Sequence, residues 1–125
     1  RVGSFDAGFG SAYLARVVGE KKAREIWFWC RLYSASEALQ MNLVNKVVAP
    51  DELLPEAKRW VAEVAEKSPT ALAYLKQSFN ADTDHQAGLS NMAMTALDLF
   101  LQTDEAKEGA AAFAEKRPAD FTRFV

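Results

Sequence analysis

Ser4 and Asp6 lie two residues apart in the segment VGSFDAGFGS, directly before a stretch of helix-forming residues. In an extended segment alternate side chains point to the same side, so a hydroxyl and a carboxylate would face one space. Such a pair suits hydrogen bonding or proton transfer to a substrate. The competing interpretation is that Asp6 caps the following helix and Ser4 satisfies local backbone. The residues alone favour this second interpretation, because serine and aspartate are common capping residues.

Other residues with chemical potential give weaker signals. The sequence Gly-Phe-Gly at 8–10 lacks the third glycine and the Lys-Ser/Thr ending of a phosphate-binding loop. His85 and Cys30 are the single histidine and the single cysteine, which excludes an intramolecular disulfide and argues against a metal site. We expect Cys30 to be a small core residue of a helix and His85 to lie in a polar break.

Two cations, Lys116 and Arg117, follow Phe113 near the end of the last predicted helix. Their simplest role is to compensate the negative end of the helix dipole. The alternative is a phosphate-binding pair beside an aromatic ring that stacks on a base. The tail after them, ADFTRFV, carries aromatic side chains that need a partner surface.

The composition narrows the class of protein. The chain has 125 residues, and its 15 Lys and Arg against 17 Asp and Glu argue against a nucleic-acid partner. The longest strongly apolar stretch, near Ile26 to Cys30, is too short to span a bilayer, so no membrane partner is expected. The single cysteine and the absence of a signal-peptide pattern indicate a cytoplasmic location. The abrupt start at Arg1 before a glycine-rich turn predicts a piece of a longer protein.

The elements that must position these residues are mostly helical. Ser34 with Glu37 fits a capping box, Ser68-Pro69 is a second helix start, and Asp51 and Thr103 are predicted N-caps of two further helices. The helix after Asp51 has an apolar stripe near 3.6-residue spacing, at Leu54, Ala57, Val61, Val64 and Ala65. The segment Val44 to Val48 alternates and is β-branched, which predicts a strand that would need partners elsewhere. The predicted helices run over Ser11 to Val18, with Gly19 as its cap, Lys21 to Leu32, Ser34 to about Asn42, Asp51 to about Lys67, Ser68 to about Phe79, Gln86 to Gln102 and Thr103 to Arg117.

Several motifs together resemble one enzyme family. They are VGSFDAGFGSAYLARVVGEKKAREIWFWCR, LVNKVV, KSPTAL, FNADTD, QTDEAKEG and EKRPADF. From residue 2 to about residue 124 the chain resembles the 1,4-dihydroxy-2-naphthoyl-CoA synthases of menaquinone biosynthesis, within the crotonase (enoyl-CoA hydratase) superfamily. The resemblance implies the crotonase α/β-spiral fold, of which this chain is the mostly α-helical C-terminal portion with one or two short strands. It implies that residues 1–50 end the core and that residues 51–125 form a helical region for trimerisation and CoA contact.

The resemblance also implies a reaction. Such synthases are carbon–carbon lyases that close a ring in o-succinylbenzoyl-CoA by an intramolecular Claisen condensation with loss of water. The CoA thioester is the substrate, no cofactor is tightly bound, and bicarbonate is an optional participant. The implied assembly is a homotrimer or hexamer, and this chain alone is expected to be catalytically incomplete.

Residue by residue, the resemblance assigns Ser4 and Asp6 as catalytic. It assigns Phe113 and Lys116 to CoA binding, close to a neighbouring subunit. The residues assigned to substrate binding are Gly3, Phe5 and Leu101.

The chain departs from the synthase pattern at two positions. Leu101 stands where these synthases usually carry a catalytic tyrosine, and Ala110 stands where they usually carry an arginine. The stretch DHQAGLSNMAMTALDLF resembles instead the 2-ketocyclohexanecarboxyl-CoA hydrolases, which open a ring by a retro-Claisen reaction. The departures also leave open a non-catalytic, truncated crotonase-like assembly module.

Overall fold

The structure is a computed structural model that describes residues 3–6 and 9–125. In these residues the chain forms seven α-helices and three short 3-10 turns. The α-helices are α1 (Gly10–Val18), α2 (Glu20–Trp29), α3 (Ala35–Gln40), α4 (Leu53–Ala65), α5 (Pro69–Ala81), α6 (Ala87–Phe100) and α7 (Asp104–Glu115). The 3-10 turns are Pro50–Glu52, Asp84–Gln86 and Thr122–Phe124.

The predicted helix starts that depend on a serine or threonine are confirmed. Ser34 and Glu37 form the predicted capping box, in which each side chain accepts a hydrogen bond from the other residue's backbone amide. The Ser68 hydroxyl accepts from the Ala71 amide at 3.3 Å, and the Thr103 hydroxyl accepts from the Ala106 amide at 3.2 Å. These bonds satisfy amides that have no partner inside the first turn of a helix.

Two predictions about local structure are wrong. Asp51 does not cap α4, because Pro50 opens a 3-10 turn whose carbonyl accepts from the Leu53 amide, and α4 begins only there. Residues 44–48 form no strand. After α3 the Leu43 and Val44 amides both point back to the Ala38 carbonyl, and β-branched residues without a neighbouring strand have no ladder to join.

The chain divides into two compact units. The first comprises the described parts of Arg1–Leu32 and Gln86–Val125, and the second is Tyr33–His85. The first unit contains α1, α2, α6 and α7, and the second contains α3, α4 and α5. Both the sequence-based boundary near residue 50 and the functions assigned to its two sides stay predictions.

Among the residues that the structure describes, the buried apolar ones are alanines, while many large apolar side chains are exposed. Ala23, Ala93 and Ala112 are buried in the first unit, and Ala38 is buried in the second. On α4, by contrast, Leu54 and Val61 of the predicted apolar stripe are exposed. In the part of the chain that the structure describes, no helix has the length and apolar character needed to cross a lipid bilayer.

Candidate active site

The segment from Gly3 to Asp6 begins with a backbone conformation that favours glycine. Gly3 has a φ of +64°, in the left-handed region that side chains with a Cβ rarely adopt. A Cβ added there would lie 2.7 Å from the Cε1 atom of Phe121 and closer still to Cζ. Two independent features therefore restrict position 3 to glycine: its φ angle and the ring of Phe121.

Asp6 holds the start of α1. Its Oδ2 accepts a hydrogen bond of 2.7 Å from the Ser11 amide, which lies in the first turn. Phe9 occupies the N-cap position, and its side chain has no hydrogen-bond acceptor. Asp6, which lies outside the helix, supplies the acceptor instead. A Cβ at Gly10 would lie 3.1 Å from the Asp6 Oδ1, so the glycine leaves space for the carboxylate. The capping role predicted for Asp6 is thus confirmed, and it fixes the orientation of the carboxylate.

Ser4 lies exposed at the edge of a cavity. Its hydroxyl lies 3.5 Å from the Phe5 carbonyl oxygen, which is long for a hydrogen bond between oxygens. The same residue lines a cavity of about 240 Å³. The hydroxyl is therefore held only weakly by its own backbone, and its residue borders the cavity.

The cavity lies between the N-terminal segment, the end of α6 and one face of α7. It is lined by Gly3, Ser4, Phe100, Leu101, Ala106, Gly109, Ala110 and Phe113. The last four residues follow the i, i+3, i+4, i+7 spacing that places residues on one helix face. Three of these four are glycine or alanine, so the α7 wall stands back from the cavity. Ser4 carries the one polar side chain among the lining residues.

The cavity brings together Gly3, Ser4, Leu101 and Phe113, four of the residues assigned from the sequence. Phe5 lies beside it, with its ring packed edge-to-face on Phe100 at a centroid distance of 5.6 Å. Both positions that depart from the synthase pattern, 101 and 110, line this same cavity. They leave its wall apolar where a tyrosine and an arginine would make it polar.

Asp6 and Lys116 are assigned residues that do not line the cavity. Asp6 lies at the start of α1. Lys116 ends α7 in a left-handed conformation with a φ of +55°, and its amide donates to the Ala112 and Phe113 carbonyls. Its side chain is exposed and follows Phe113 by three residues. The two residues assigned to CoA therefore share one end of α7.

Arg117 is engaged within the protein. Its guanidinium donates to both oxygens of Glu108, at 2.6 and 3.1 Å, and to Glu115 at 2.6 Å. The Asp120 amide also donates to Glu108, at 3.0 Å. Hydrogen bonds from Arg117, then from the Asp120 amide, lower the pKa of Glu108 from 4.5 to about 2. Arg117 therefore anchors the tail to α7, and the phosphate-binding alternative keeps only Lys116.

Sequence reasoning missed several residues of this region. Phe100, Ala106 and Gly109 line the cavity, and Phe121 packs against Gly3. The helical spacing of small residues on α7 was the available signal for the cavity wall. For Phe121 the sequence indicated only that the tail aromatics need a partner surface.

The remaining candidate residues lie apart from the cavity. Cys30 is half-buried and ends α2 with a φ of +49°, so it is a helix terminus and not the core residue that was predicted. His85 is exposed in the 3-10 turn before α6. Among residues 3–6 and 9–125, no three His, Cys, Asp or Glu side chains lie close enough to hold a metal ion.

Comparison with known proteins identifies the family. The sequence model of the enoyl-CoA hydratase/isomerase family matches residues 1–123, so the chain belongs to that family. An enoyl-CoA hydratase/isomerase from Pseudoalteromonas atlantica T6c is 27% identical, with a TM-score of 0.86 over 97% of this chain and 49% of that chain. The predicted crotonase fold is thereby confirmed.

Two further solved structures share the fold. A carnitinyl-CoA hydratase from Mycobacterium avium is 22% identical, with a TM-score of 0.87 over 97% of this chain and 48% of that one. A carnitinyl-CoA dehydratase from Mycobacterium avium 104 is 24% identical, with a TM-score of 0.79 over 90% of this chain and 46% of that one. The chain spans about half the length of the solved structures that it matches.

Proposed function

We propose that this chain supplies one wall of the active site of an acyl-CoA enzyme that makes or breaks a carbon–carbon bond. The observation that carries the proposal is Ser4, the one polar side chain in an otherwise apolar cavity, two residues from the carboxylate of Asp6. The family match supports CoA thioesters as the substrate class. The resemblance of VGSFDAGFGS favours ring closure of o-succinylbenzoyl-CoA to 1,4-dihydroxy-2-naphthoyl-CoA.

In this reaction the carbon next to the thioester attacks the second carboxyl group of the substrate, and water leaves. The Ser4 hydroxyl donates a hydrogen bond to a substrate oxygen inside the cavity. Asp6, which lies beside the cavity with its carboxylate oriented by the Ser11 amide, accepts the proton that the attacking carbon loses and passes it to the oxygen that leaves as water. Phe113 and Lys116 bind the nucleotide of CoA. The exposed Phe113 ring stacks on the base, and the Lys116 ammonium pairs with a phosphate.

A second candidate is ring opening of 2-ketocyclohexanecarboxyl-CoA. The observation that favours it is the apolar wall, since Leu101 and Ala110 provide no charge or hydroxyl for a second carboxyl group. An alicyclic ring with a single ketone oxygen suits a cavity with one hydroxyl. A non-catalytic assembly module is the third candidate, and it requires that neither substrate is turned over.

The proposal includes a homotrimer or hexamer and a cytoplasmic location for the full natural protein. Exposed apolar side chains on the helices support an assembly, because such surface is costly to leave in water. The most exposed of them include Leu54, Val61, Tyr74 and Phe79.

The substrate is tested with the full natural chain. Purified protein is assayed with o-succinylbenzoyl-CoA, 2-ketocyclohexanecarboxyl-CoA and carnitinyl-CoA, with bicarbonate present and absent. Turnover of the first supports the synthase, and turnover of the second replaces it by the hydrolase. Turnover of carnitinyl-CoA alone contradicts the carbon–carbon chemistry. If the protein neither binds nor turns over any of the three, the result supports the assembly module.

The role of Asp6 is tested by Asp6→Asn. The amide oxygen of asparagine can still accept from the Ser11 amide, so the cap is retained while proton transfer is lost. We expect kcat to fall at least about a hundredfold, with little change in the melting temperature. The matched control is Asp104→Asn, the same change in the first turn of α7, which should keep its activity. Full activity in Asp6→Asn would show that Asp6 is only a cap.

A further inference from the structure

The C-terminal tail contacts the segment that carries Ser4. The Phe121 ring is half-buried and lies directly against Gly3, where it occupies the space that a Cβ would need. Gly3 has left-handed backbone angles and immediately precedes Ser4. The position of the ring therefore bears on the backbone that places the hydroxyl.

Glu108 holds this part of the tail in place. Its side chain is buried, with 8% of the residue exposed. It accepts two bonds from Arg117, one from the Asp120 amide and one of 3.3 Å from Arg123. The Asp120 amide belongs to the peptide group between Ala119 and Asp120, one residue before Phe121, so the bond holds the backbone next to the residue from which the ring projects.

The same turn of α7 also forms the cavity wall. Gly109 and Ala110 directly follow Glu108 and line the cavity that contains Ser4. One helical turn therefore binds the tail through Glu108 and borders the cavity through its neighbours. From this turn, Glu108 binds the Asp120 amide, and the Phe121 ring after it lies against Gly3, the residue before Ser4.

We propose that Phe121 is a positioning residue: held through Glu108, its ring keeps Gly3 in the left-handed conformation and so sets where the Ser4 hydroxyl lies in the cavity. Its effect on catalysis rests on the proposed function, whereas its effect on the backbone does not. A displaced hydroxyl costs rate because catalytic groups must be placed to within about an ångström. Phe121 itself takes no part in the chemistry.

The test compares Phe121→Ala with Phe124→Ala in the full natural protein. Phe124 belongs to the same tail, and Arg123 stacks on its ring at 4.8 Å, which makes it a matched control. For Phe121→Ala we expect kcat to fall roughly ten- to a hundredfold, with a nearly unchanged KM for the acyl-CoA. Phe121→Leu should recover part of the loss. Phe124→Ala should keep the wild-type kcat.

A readout without substrate follows the backbone directly. Hydrogen exchange, read by mass spectrometry on the peptide containing residues 3–6, should become faster in Phe121→Ala and stay unchanged in Phe124→Ala. Faster exchange in a protein with no acyl-CoA turnover would refute the proposed function and leave the positioning role standing. Wild-type exchange and wild-type kcat in Phe121→Ala would overturn the positioning role alone.

A double variant adds a second check. Gly3→Ala places a Cβ where the ring lies, so it should lose most activity. Combining it with Phe121→Ala removes this overlap, although the φ angle at position 3 still disfavours alanine. The double variant should therefore lose less activity than the product of the two single losses. Strictly multiplicative losses would contradict the proposed contact.

Discussion

Glu108 in the first unit and Glu56 in the second are similar carboxylates with different consequences. Each is largely shielded and accepts hydrogen bonds from an arginine, and each has its pKa lowered from 4.5 to about 2. The pKa of Glu56 is lowered most by the hydrogen bond from Lys46 and next by the one from Arg59. The Trp60 indole donates a further hydrogen bond to Glu56 at 2.9 Å. The pKa of Glu108 is lowered most by the hydrogen bonds from Arg117, and Glu108 also accepts a hydrogen bond from the Asp120 backbone amide.

The difference lies in the segment that each carboxylate holds. Through Lys46, Glu56 ties the loop after α3 to α4, and its other two partners lie on α4 itself. Glu108 ties the tail to α7, and the tail contacts Gly3 beside the cavity. Similar electrostatics therefore stabilise both units, but only in the first unit does the held segment reach the candidate active site.

The largest expected effect is the loss of activity on replacing Glu108, which replacing Glu56 should not cause. Glu108→Gln removes the anion that Arg117 and Arg123 share and leaves Arg117 with Glu115 alone, so both the melting temperature and kcat should fall, the latter at least about tenfold. Glu56→Gln should lower the melting temperature by a similar amount and leave kcat unchanged. The measurements are thermal unfolding and steady-state kinetics on the full protein. Equal losses of kcat in both variants would remove the distinction between the units.

The pH dependence tests what the two carboxylates share. Each binds its proton less readily in the folded state than in the unfolded state, because its pKa is about 2 instead of 4.5. Their stabilisation is therefore present above about pH 4.5 and is lost as the pH falls toward 2. The urea midpoint of the wild type should fall across this window.

Single glutamine variants should show a smaller fall in the urea midpoint, and the double variant the smallest. Relative to the intrinsic exchange rate at each pH, the protection of backbone amides from hydrogen exchange should fall in acid. We expect the fall at the tail, through Glu108, and at residues 43–49, through Glu56. A midpoint that falls equally in wild type and double variant would show that other groups carry the acid sensitivity.

The smallest effect concerns the helix caps of the two units. Ser68→Ala and Thr103→Ala each remove a side-chain acceptor from a helix start, which costs about 1 kcal/mol. Thr103 begins α7, which borders the cavity, so its variant should also lower kcat slightly. Ser68 begins α5 in the other unit, and its variant should not. Thr103→Ser, which restores the hydroxyl, should return both properties to wild type.

Local signals in the sequence predicted much of the helical structure. The hydroxyls of Ser34, Ser68 and Thr103 act on amides three residues away, so their role is visible in a short window. The capping role of Asp6 was predicted for the same reason. The strand over residues 44–48 was a wrong prediction because pairing depends on a neighbour that local propensity does not reveal.

The sequence by itself determined the helix starts at Ser34, Ser68 and Thr103 and the family resemblance. It also marked Ser4, Asp6, Leu101 and Ala110 as chemically informative positions. Only the tertiary structure decided that Ser4, Leu101 and Ala110 line one cavity, that Arg117 binds Glu108, and that Phe121 restricts Gly3. The physical reason is distance along the chain. Backbone propensity and capping act within one helical turn, whereas a contact between the two ends of a chain exists only after the chain has folded.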